Sequence, residues 1–308
     1  MNLIIPMEPI LREEIFDSSD FTYQLKWDGV RMLTYVSGGK VELFNKRLHN
    51  RSDQYPELQL FSSLFKKNKV ILDGEIIAFK DSKPNFPAVM RRDNARNKQR
   101  IQLLMQEVPI NYIVFDLLWY EDEDLRVLSW EQRQQRLKEL LKPQAMIHII
   151  EDFPSGSSLF NAVKKAELEG VVAKRKASRY QDGKKHRDWF KIKYRRRQAC
   201  VVGGYTLRND VANSLLLGVY HDGLLRYVGR AGSGLKVSEW QELTTGLKLL
   251  QTNVAPFASF PGRLKETVFW LEPRLVIDVE FAEWTDDMHL RSPVIKDFLK
   301  IAPEECQV

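Results

Sequence analysis

Cysteine is scarce in this sequence: Cys200 and Cys306 are the only two among 308 residues, far apart and without His or Cys neighbours at zinc-ligand spacing. Neither a disulfide framework nor a structural zinc site is suggested. Long apolar runs are missing too. Apolar runs such as Val70 to Leu72, or Val114 to Leu118 with Asp116 inside it, fall far short of the roughly 20 residues a membrane-spanning helix needs. The N-terminal stretch carries Glu8, Arg12, Glu13 and Glu14, which does not match a signal peptide. The expectation is a protein with no membrane partner, located in the cytoplasm. The five histidines show no His-Glu-x-x-His or other paired spacing, and no internal repeat or low-complexity segment is present.

What is present is ordinary globular composition, 44% hydrophobic, over a length that suits two domains. The net charge of +6 is modest but uneven. Lys174 to Arg197 holds twelve Lys/Arg against Asp182 and Asp188, a local excess of +10, so the rest of the chain is net acidic. Such a run is commonly a solvated face. Here Tyr180, Trp189, Phe190 and Tyr194 are interleaved with the cations, a mixture that points to a phosphate-rich ligand.

From Tyr23 to about Lys193, β-like runs (Arg31 to Val36, Val41 to Phe44, Val70 to Phe79, Ile110 to Trp119, Gly170 to Lys174, Trp189 to Tyr194) alternate with helical patterns. Ser129 to Leu141 reads as a helix with Ser129 as N-cap, and Leu159 to Leu168 as another. Few strands are joined by a helix of crossover length, so the fold class is α+β with antiparallel or mixed sheets. After Arg195 to Arg197 the pattern shifts to short strands (Cys200 to Thr206, Ser214 to His221, Leu224 to Gly229, Leu275 to Trp284) around one helix, Val237 to Leu250. That suits a small barrel of the OB type, with a boundary near residue 195. Gly229-Arg230-Ala231-Gly232-Ser233-Gly234 has the look of a phosphate-binding loop, but with no βαβ unit around it a barrel hairpin turn is the better reading.

Lys26-Trp27-Asp28-Gly29-Val30-Arg31 follows the strand Tyr23 to Leu25. Alone, Lys26 reads as a surface lysine and Asp28-Gly29 as a hairpin turn. Downstream, Glu75 lies in a strand, Phe115-Asp116 interrupts an apolar run, Glu169-Gly170 precedes another strand, and Lys191 and Lys193 share a strand face. Nucleotidyl transfer to an amine needs such a set. A lysine amine is protonated at neutral pH and must be deprotonated by the influence of a nearby cation or metal. Lys191 and Lys193 supply positive charge for the transferring phosphate, and Glu169 is a metal-ligand candidate. Phe115 can stack on a purine, and Glu75 can accept from ribose hydroxyls. Each also has a plain structural reading, as core or strand-edge charge.

In the order and content of these motifs the sequence resembles the covalent nucleotidyltransferases: ATP-dependent DNA ligases, RNA ligases and mRNA capping enzymes. The resemblance implies Lys26 as the adenylated nucleophile, Asp28 beside it as a catalytic residue, and Arg31 contacting nucleotide or nick phosphate. It implies Arg47 on the 5′-phosphate, Glu75 on the ribose and as a second carboxylate near the metal, and Phe115 on adenine. Glu169 to Lys174 would be the metal-binding motif, with Lys174 toward ATP, and Trp189 to Lys193 the phosphate-binding lysine motif. Within the superfamily the likeness is to the ligase module of bacterial end-joining DNA ligases and small stand-alone relatives. Phe86 to Arg92 is similar to a DNA-ligase element ending in an arginine, which places Arg92 among the DNA contacts with Arg195, Arg196 and Arg197. Trp270 to Pro273 through Trp284 and Leu290 to Lys296 resemble that group's OB-fold ending, with Arg291 and Lys296 facing pyrophosphate. Gln24 stands where the group usually has Glu, and Met90 where Gln is common.

The expectation is therefore an adenylation domain over 1–195 and an OB-fold domain over 196–308. The implied activity is sealing of 3′-hydroxyl/5′-phosphate nicks in duplex DNA with ATP and Mg²⁺ or Mn²⁺, by a monomer of bacterial, nucleoid-associated location. Repair or end-joining proteins are its expected partners, and the chain would be a minimal ligase of two catalytic domains. The rival readings are an RNA ligase or capping-type guanylyltransferase, and a non-catalytic OB-fold nucleic-acid-binding protein.

Overall fold

The computed structural model describes residues 2–65, 68–81, 83–260, 266–285 and 287–308. The chain divides after Tyr194 into two compact units, the second being Arg195–Val308. In chain order the first contains β1 (Glu8–Leu11), β2 (Phe21–Leu25), β3 (Val30–Ser37), β4 (Lys40–Asn45), α1 (Phe61–Leu64), β5 (Val70–Lys80), β6 (Lys83–Pro84), α2 (Phe86–Asp93) and α3 (Lys98–Glu107). There follow β7 (Ile110–Tyr120), β8 (Glu123–Asp124), α4 (Trp130–Leu140), β9 (Ile147–Ile149), α5 (Gly156–Ala166), β10 (Gly170–Arg175) and β11 (Lys185–Lys193).

Two sheets result. One has the order β1-β11-β10-β2; the other runs β4-β3-β5-β7-β8, with β6 on β5 and β9 on β7. Both are mixed, because β1 lies parallel to β11 and β9 parallel to β7. In β3 the stretch Met32 to Val36 is apolar but for Thr34, because alternate side chains point to opposite faces and both faces are covered. Met32 and Val36 join a core with Tyr55, Phe61, Val89 and Leu137 under the helices. Leu33 and Tyr35 pack instead with Met7, Tyr180 and Trp189 between the sheets. A third cluster holds α5 on the smaller sheet through Leu159, Val163, Val171 and Ile192.

Helix starts follow their caps. Ser129 accepts from Gln132 N, and the Gln132 side chain accepts from Ser129 N, a capping box that begins α4 at Trp130. Ser155 caps α5 three residues earlier than the apolar pattern alone suggests, and Glu167 in left-handed conformation ends it.

The second unit contains β12 (Arg196–Arg208), β13 (Val211–His221), β14 (Leu224–Ala231), α6 (Val237–Lys248), β15 (Gln251–Thr252), β16 (Val268–Phe281) and β17 (Val294–Leu299). Its antiparallel sheet runs β14-β13-β12-β16-β15, with β17 also on β16. The expected barrel is not closed by these ladders. Backbone bonds from Leu290 to Val228 and from Ile295 to Ser233 tie β14 to the segment near β17 without making a ladder among the described residues. The glycine-rich stretch from Gly229 is not a hairpin turn either: it leads from β14 into α6. Gly234 is required there because it has φ +110° and a side chain would meet Ile295 O at 2.0 Å.

Candidate active site

The segment Lys26 to Gly29 is where the chain leaves one sheet for the other. Leu25 pairs with Val171 in the smaller sheet, whereas Val30 pairs with Ile76 in the larger one. Asp28-Gly29 is thus a sheet-to-sheet crossing and not a hairpin. Gly29 lies so close to β5 that an added Cβ would sit 2.3 Å from Ile76 O. Lys26 N donates to Gly170 O at 2.9 Å, which fixes the lysine beside the start of β10.

At that junction Lys26 Nζ lies 2.6 Å from Glu169 Oε2, and Lys193 Nζ lies 2.9 Å from Glu169 Oε1. Lys193 reaches this carboxylate because it pairs with Gly170 across β10 and β11. Burial alone would raise the Glu169 carboxyl, but the two ammonium groups outweigh it and hold the acid below its usual range. Lys191 is lowered by burial and by the nearby charges of Lys26 and Lys193.

A cavity of about 590 Å³ opens beside Lys26, a volume within the range of small-molecule and cofactor pockets. Gln24, Phe115, Ile150 and Val172 line it together with Lys26, Glu75, Lys174 and Lys191. Glu75 makes no hydrogen bond among the described residues; burial pushes it up to about 8, against the opposing pull of Lys26 and Arg31. Lys174 is buried with its Nζ unbonded, 4.4 Å from the Phe115 ring centroid and 4.2 Å from that of Trp189. Burial lowers it to about 8 despite the buried carboxylates of Asp116 and Asp73.

Sequence-level candidates therefore gather here unequally. Gln24, Lys26, Arg31, Arg47, Glu75, Phe115, Lys174 and Lys191 all line one cavity, and Glu169 and Lys193 join through Lys26. Asp28 is half-buried, engages neighbours, and does not line it. The Arg31 guanidinium is bound bidentately by the buried Asp73, at 2.9 and 2.6 Å, and donates to Met7 O. Arg92 does not support the expected DNA contact. Its side chain is fully buried, donating to Gln54 O, Val108 O and Glu57, so it braces α2 from inside. The aromatics of the basic run are likewise structural: Tyr180 and Trp189 are buried between the sheets, and Phe190 and Tyr194 pack against the cluster under α5. Only Trp189 also reaches the cavity.

The remaining candidates belong to the second unit. Arg195 precedes β12, Arg196 opens it, and Arg197 pairs with Asp278. Arg291 pairs with Glu283, and Lys296 stands 3.7 Å from Glu280. Sequence reading missed the partners that orient the site. Asp116 holds Arg133 by two bonds of 2.8 and 2.9 Å, with both side chains fully buried, directly behind Phe115. Gln24 Nε2 donates to Asp152 at 2.8 Å. Glu8 and Pro9 bring the N-terminal segment to the cavity. Asp73 and Asp116 stand in the motifs Asp73-Gly74-Glu75 and Phe115-Asp116, whose spacing gave no sign of their arginine partners.

An amine, a carboxylate between two lysines and an aromatic-lined cavity thus meet where β2 ends. The chain belongs to the ATP-dependent DNA ligases: the model of the ATP dependent DNA ligase domain matches residues 7–193, and that of the ATP dependent DNA ligase C terminal region matches 208–300. It is 30% identical over 280 residues to the multifunctional non-homologous end joining DNA repair protein LigD of Mycobacterium tuberculosis, covering 89% of this chain and 35% of that protein. It is 31% identical over 265 residues to DNA ligase C2 of Mycolicibacterium smegmatis, covering 83% of this chain and 73% of that protein. The chain thus spans about a third of the length of the end-joining relatives it matches. A solved structure described as mycobacterial DNA ligase D complexed with ATP and MES superposes with a TM-score of 0.58 at 27% identity, covering 98% of this chain and 97% of that one. Among the described residues no helix is long and apolar enough to cross a membrane.

Proposed function

We propose that this chain seals 3′-hydroxyl/5′-phosphate nicks in duplex DNA with ATP through a lysyl-AMP intermediate on Lys26, as a monomer acting in DNA repair. The observation that carries the reading is the pairing of Lys26 and Lys193 with Glu169 beside a cavity lined by Gln24, Glu75, Phe115 and Lys174. In the first step the deprotonated Lys26 Nζ attacks the α-phosphorus; the N–P bond forms and the P–O bond to pyrophosphate breaks. The AMP then passes to the 5′-phosphate at the nick, breaking the N–P bond. Finally the 3′-hydroxyl attacks that phosphate and AMP leaves.

Lys191, Lys193 and Lys174 stabilise charge on the transferring phosphate, Phe115 stacks on adenine, and Glu75 receives the ribose hydroxyls. Among the described residues no three His, Cys, Asp or Glu side chains converge on one point. The donor set nevertheless fits magnesium or manganese, which commonly take one or two carboxylates and complete their shell with phosphate and water oxygens. Glu169 would hold the ion, with Glu75 the second carboxylate; when bound, the ion supplies charge neutralisation at the α-phosphate. We assign residues 1–195 to adenylation and 196–308 to an OB-type domain. Arg47 and Arg195 to Arg197 serve DNA phosphates, and Arg291 and Lys296 serve pyrophosphate. The end-joining relatives suggest repair proteins as partners.

Incubation with α-labelled ATP followed by denaturing electrophoresis tests this reading. Covalent label is expected on the wild type and none on Lys26→Ala. Label retained in that variant refutes the assignment.

A further inference from the structure

Gln24 is 1% exposed, and its side chain meets two different environments. On one side Nε2 lies 2.8 Å from Asp152 Oδ1. The other carboxylate oxygen of Asp152 accepts from Lys138 Nζ at 2.9 Å. The Asp152 backbone is fixed as well, because the next residue, Phe153, exchanges two backbone bonds with Tyr23, at 3.0 and 2.8 Å. The Oε1 atom of Gln24 has no hydrogen-bond partner among the described residues, yet it is not one of the fully enclosed unpaired atoms. Since Gln24 lines the cavity, Oε1 opens onto it.

An amide can be turned end for end with little change in shape, and its two ends read opposite partners. An ionised carboxylate removes that ambiguity because it only accepts: the NH₂ end must face Asp152, and the carbonyl must face the cavity. Lys138 pairs with the other oxygen of this carboxylate. A carbonyl acceptor at that place matches the exocyclic amine of adenine and opposes the 6-oxo group of guanine or hypoxanthine. A buried acceptor set against another acceptor carries the full cost of two unpaired groups.

We propose that Asp152, held by Lys138, is a positioning residue that locks the Gln24 amide with its oxygen toward the nucleotide, so that the cavity selects 6-amino over 6-oxo purines. The inference rests on the reading of Lys26 as a nucleotide acceptor. ATP and ITP differ at the 6-position and at the protonation of N1, without the 2-amino group that guanine adds, and they form the suitable pair of probes.

The test is the rate of covalent labelling by α-labelled ATP and by α-labelled ITP, each measured over a range of concentrations. Wild type labels with ATP in strong preference. Asp152→Asn keeps its oxygen on Lys138 and turns its NH₂ to Gln24, so the Gln24 amide inverts and the ATP/ITP preference falls by about tenfold or more, mainly through KM, in line with loss of one buried hydrogen-bond match. Gln24→Glu combined with Asp152→Asn restores the preference, because the introduced carboxylate accepts from the introduced amide with one oxygen and presents the other to the nucleotide. An unchanged preference in Asp152→Asn, or no recovery in the double variant, overturns the proposal. Wild type that labels with neither nucleotide refutes the nucleotidyl-transfer reading itself, and this inference with it.

Discussion

Lys174 places function and stability in opposition, and its replacement by methionine separates them. The side chain is 2% exposed, its ammonium has no hydrogen-bond partner, and burial lowers it from 10.5 to about 8. A drop of that size corresponds to roughly 3 kcal/mol of folding free energy forgone whenever the group is charged. The rings of Phe115 and Trp189 return about 1–2 kcal/mol of this by cation–π attraction. Below pH 8 the lysine is protonated in both folded and unfolded states, and the penalty is present in full. Between pH 8 and 10.5 the unfolded chain binds more protons than the folded one, so stability rises with pH across that window, other groups aside. Lys174→Met, similar in length and apolar, removes both the penalty and the window. The expected gain at pH 7 is on the order of 1–3 kcal/mol, which raises the melting temperature of the first unit by roughly 2–10 °C. The same substitution removes a cation from the nucleotide cavity, and lysine adenylation is expected to slow by about 10²-fold. The assay is thermal melting of wild type and variant at pH 7 and pH 10 beside single-turnover labelling with ATP. A variant that melts lower at pH 7, or keeps the wild-type pH dependence, refutes the account of a desolvated lysine. Unchanged adenylation refutes its role toward ATP.

Arg92→Met is expected to cost about 3–5 kcal/mol, because Glu57 loses its fully buried partner and two carbonyls lose their donors; denaturant titration measures this, and nicked-DNA affinity of the folded variant should match wild type. Arg291→Ala or Lys296→Ala is expected to slow lysine adenylation by about 10²- to 10³-fold while sparing sealing of pre-adenylated nicks, since no pyrophosphate forms in that step. Equal impairment in two single-turnover assays, one with ATP alone and one with pre-adenylated duplex, would withdraw the pyrophosphate assignment.

The sequence by itself determined the spacing of Lys26, Glu75, Phe115, Glu169, Lys191 and Lys193, and the motif order they form carried the resemblance to the ligase family. It also determined most strands, through alternation, and α4, through the Ser129 cap. It could not reveal which charged residues are structural. Arg92 and Arg47 are both arginines in a resembling motif, yet one is sealed inside α2's packing and the other lines the cavity. Trp189 and Tyr180 likewise sit in a cationic run but fill the space between two sheets. Nor did spacing disclose that Asp28-Gly29 crosses between sheets, since a hairpin and a crossing share the same local turn residues. Only the tertiary structure decided that Asp73 grips Arg31, that Asp116 grips Arg133 behind Phe115, and that Asp152 faces Gln24. Those pairs join residues 42, 17 and 128 positions apart, and such contacts arise from how sheets stack, which no local periodicity encodes.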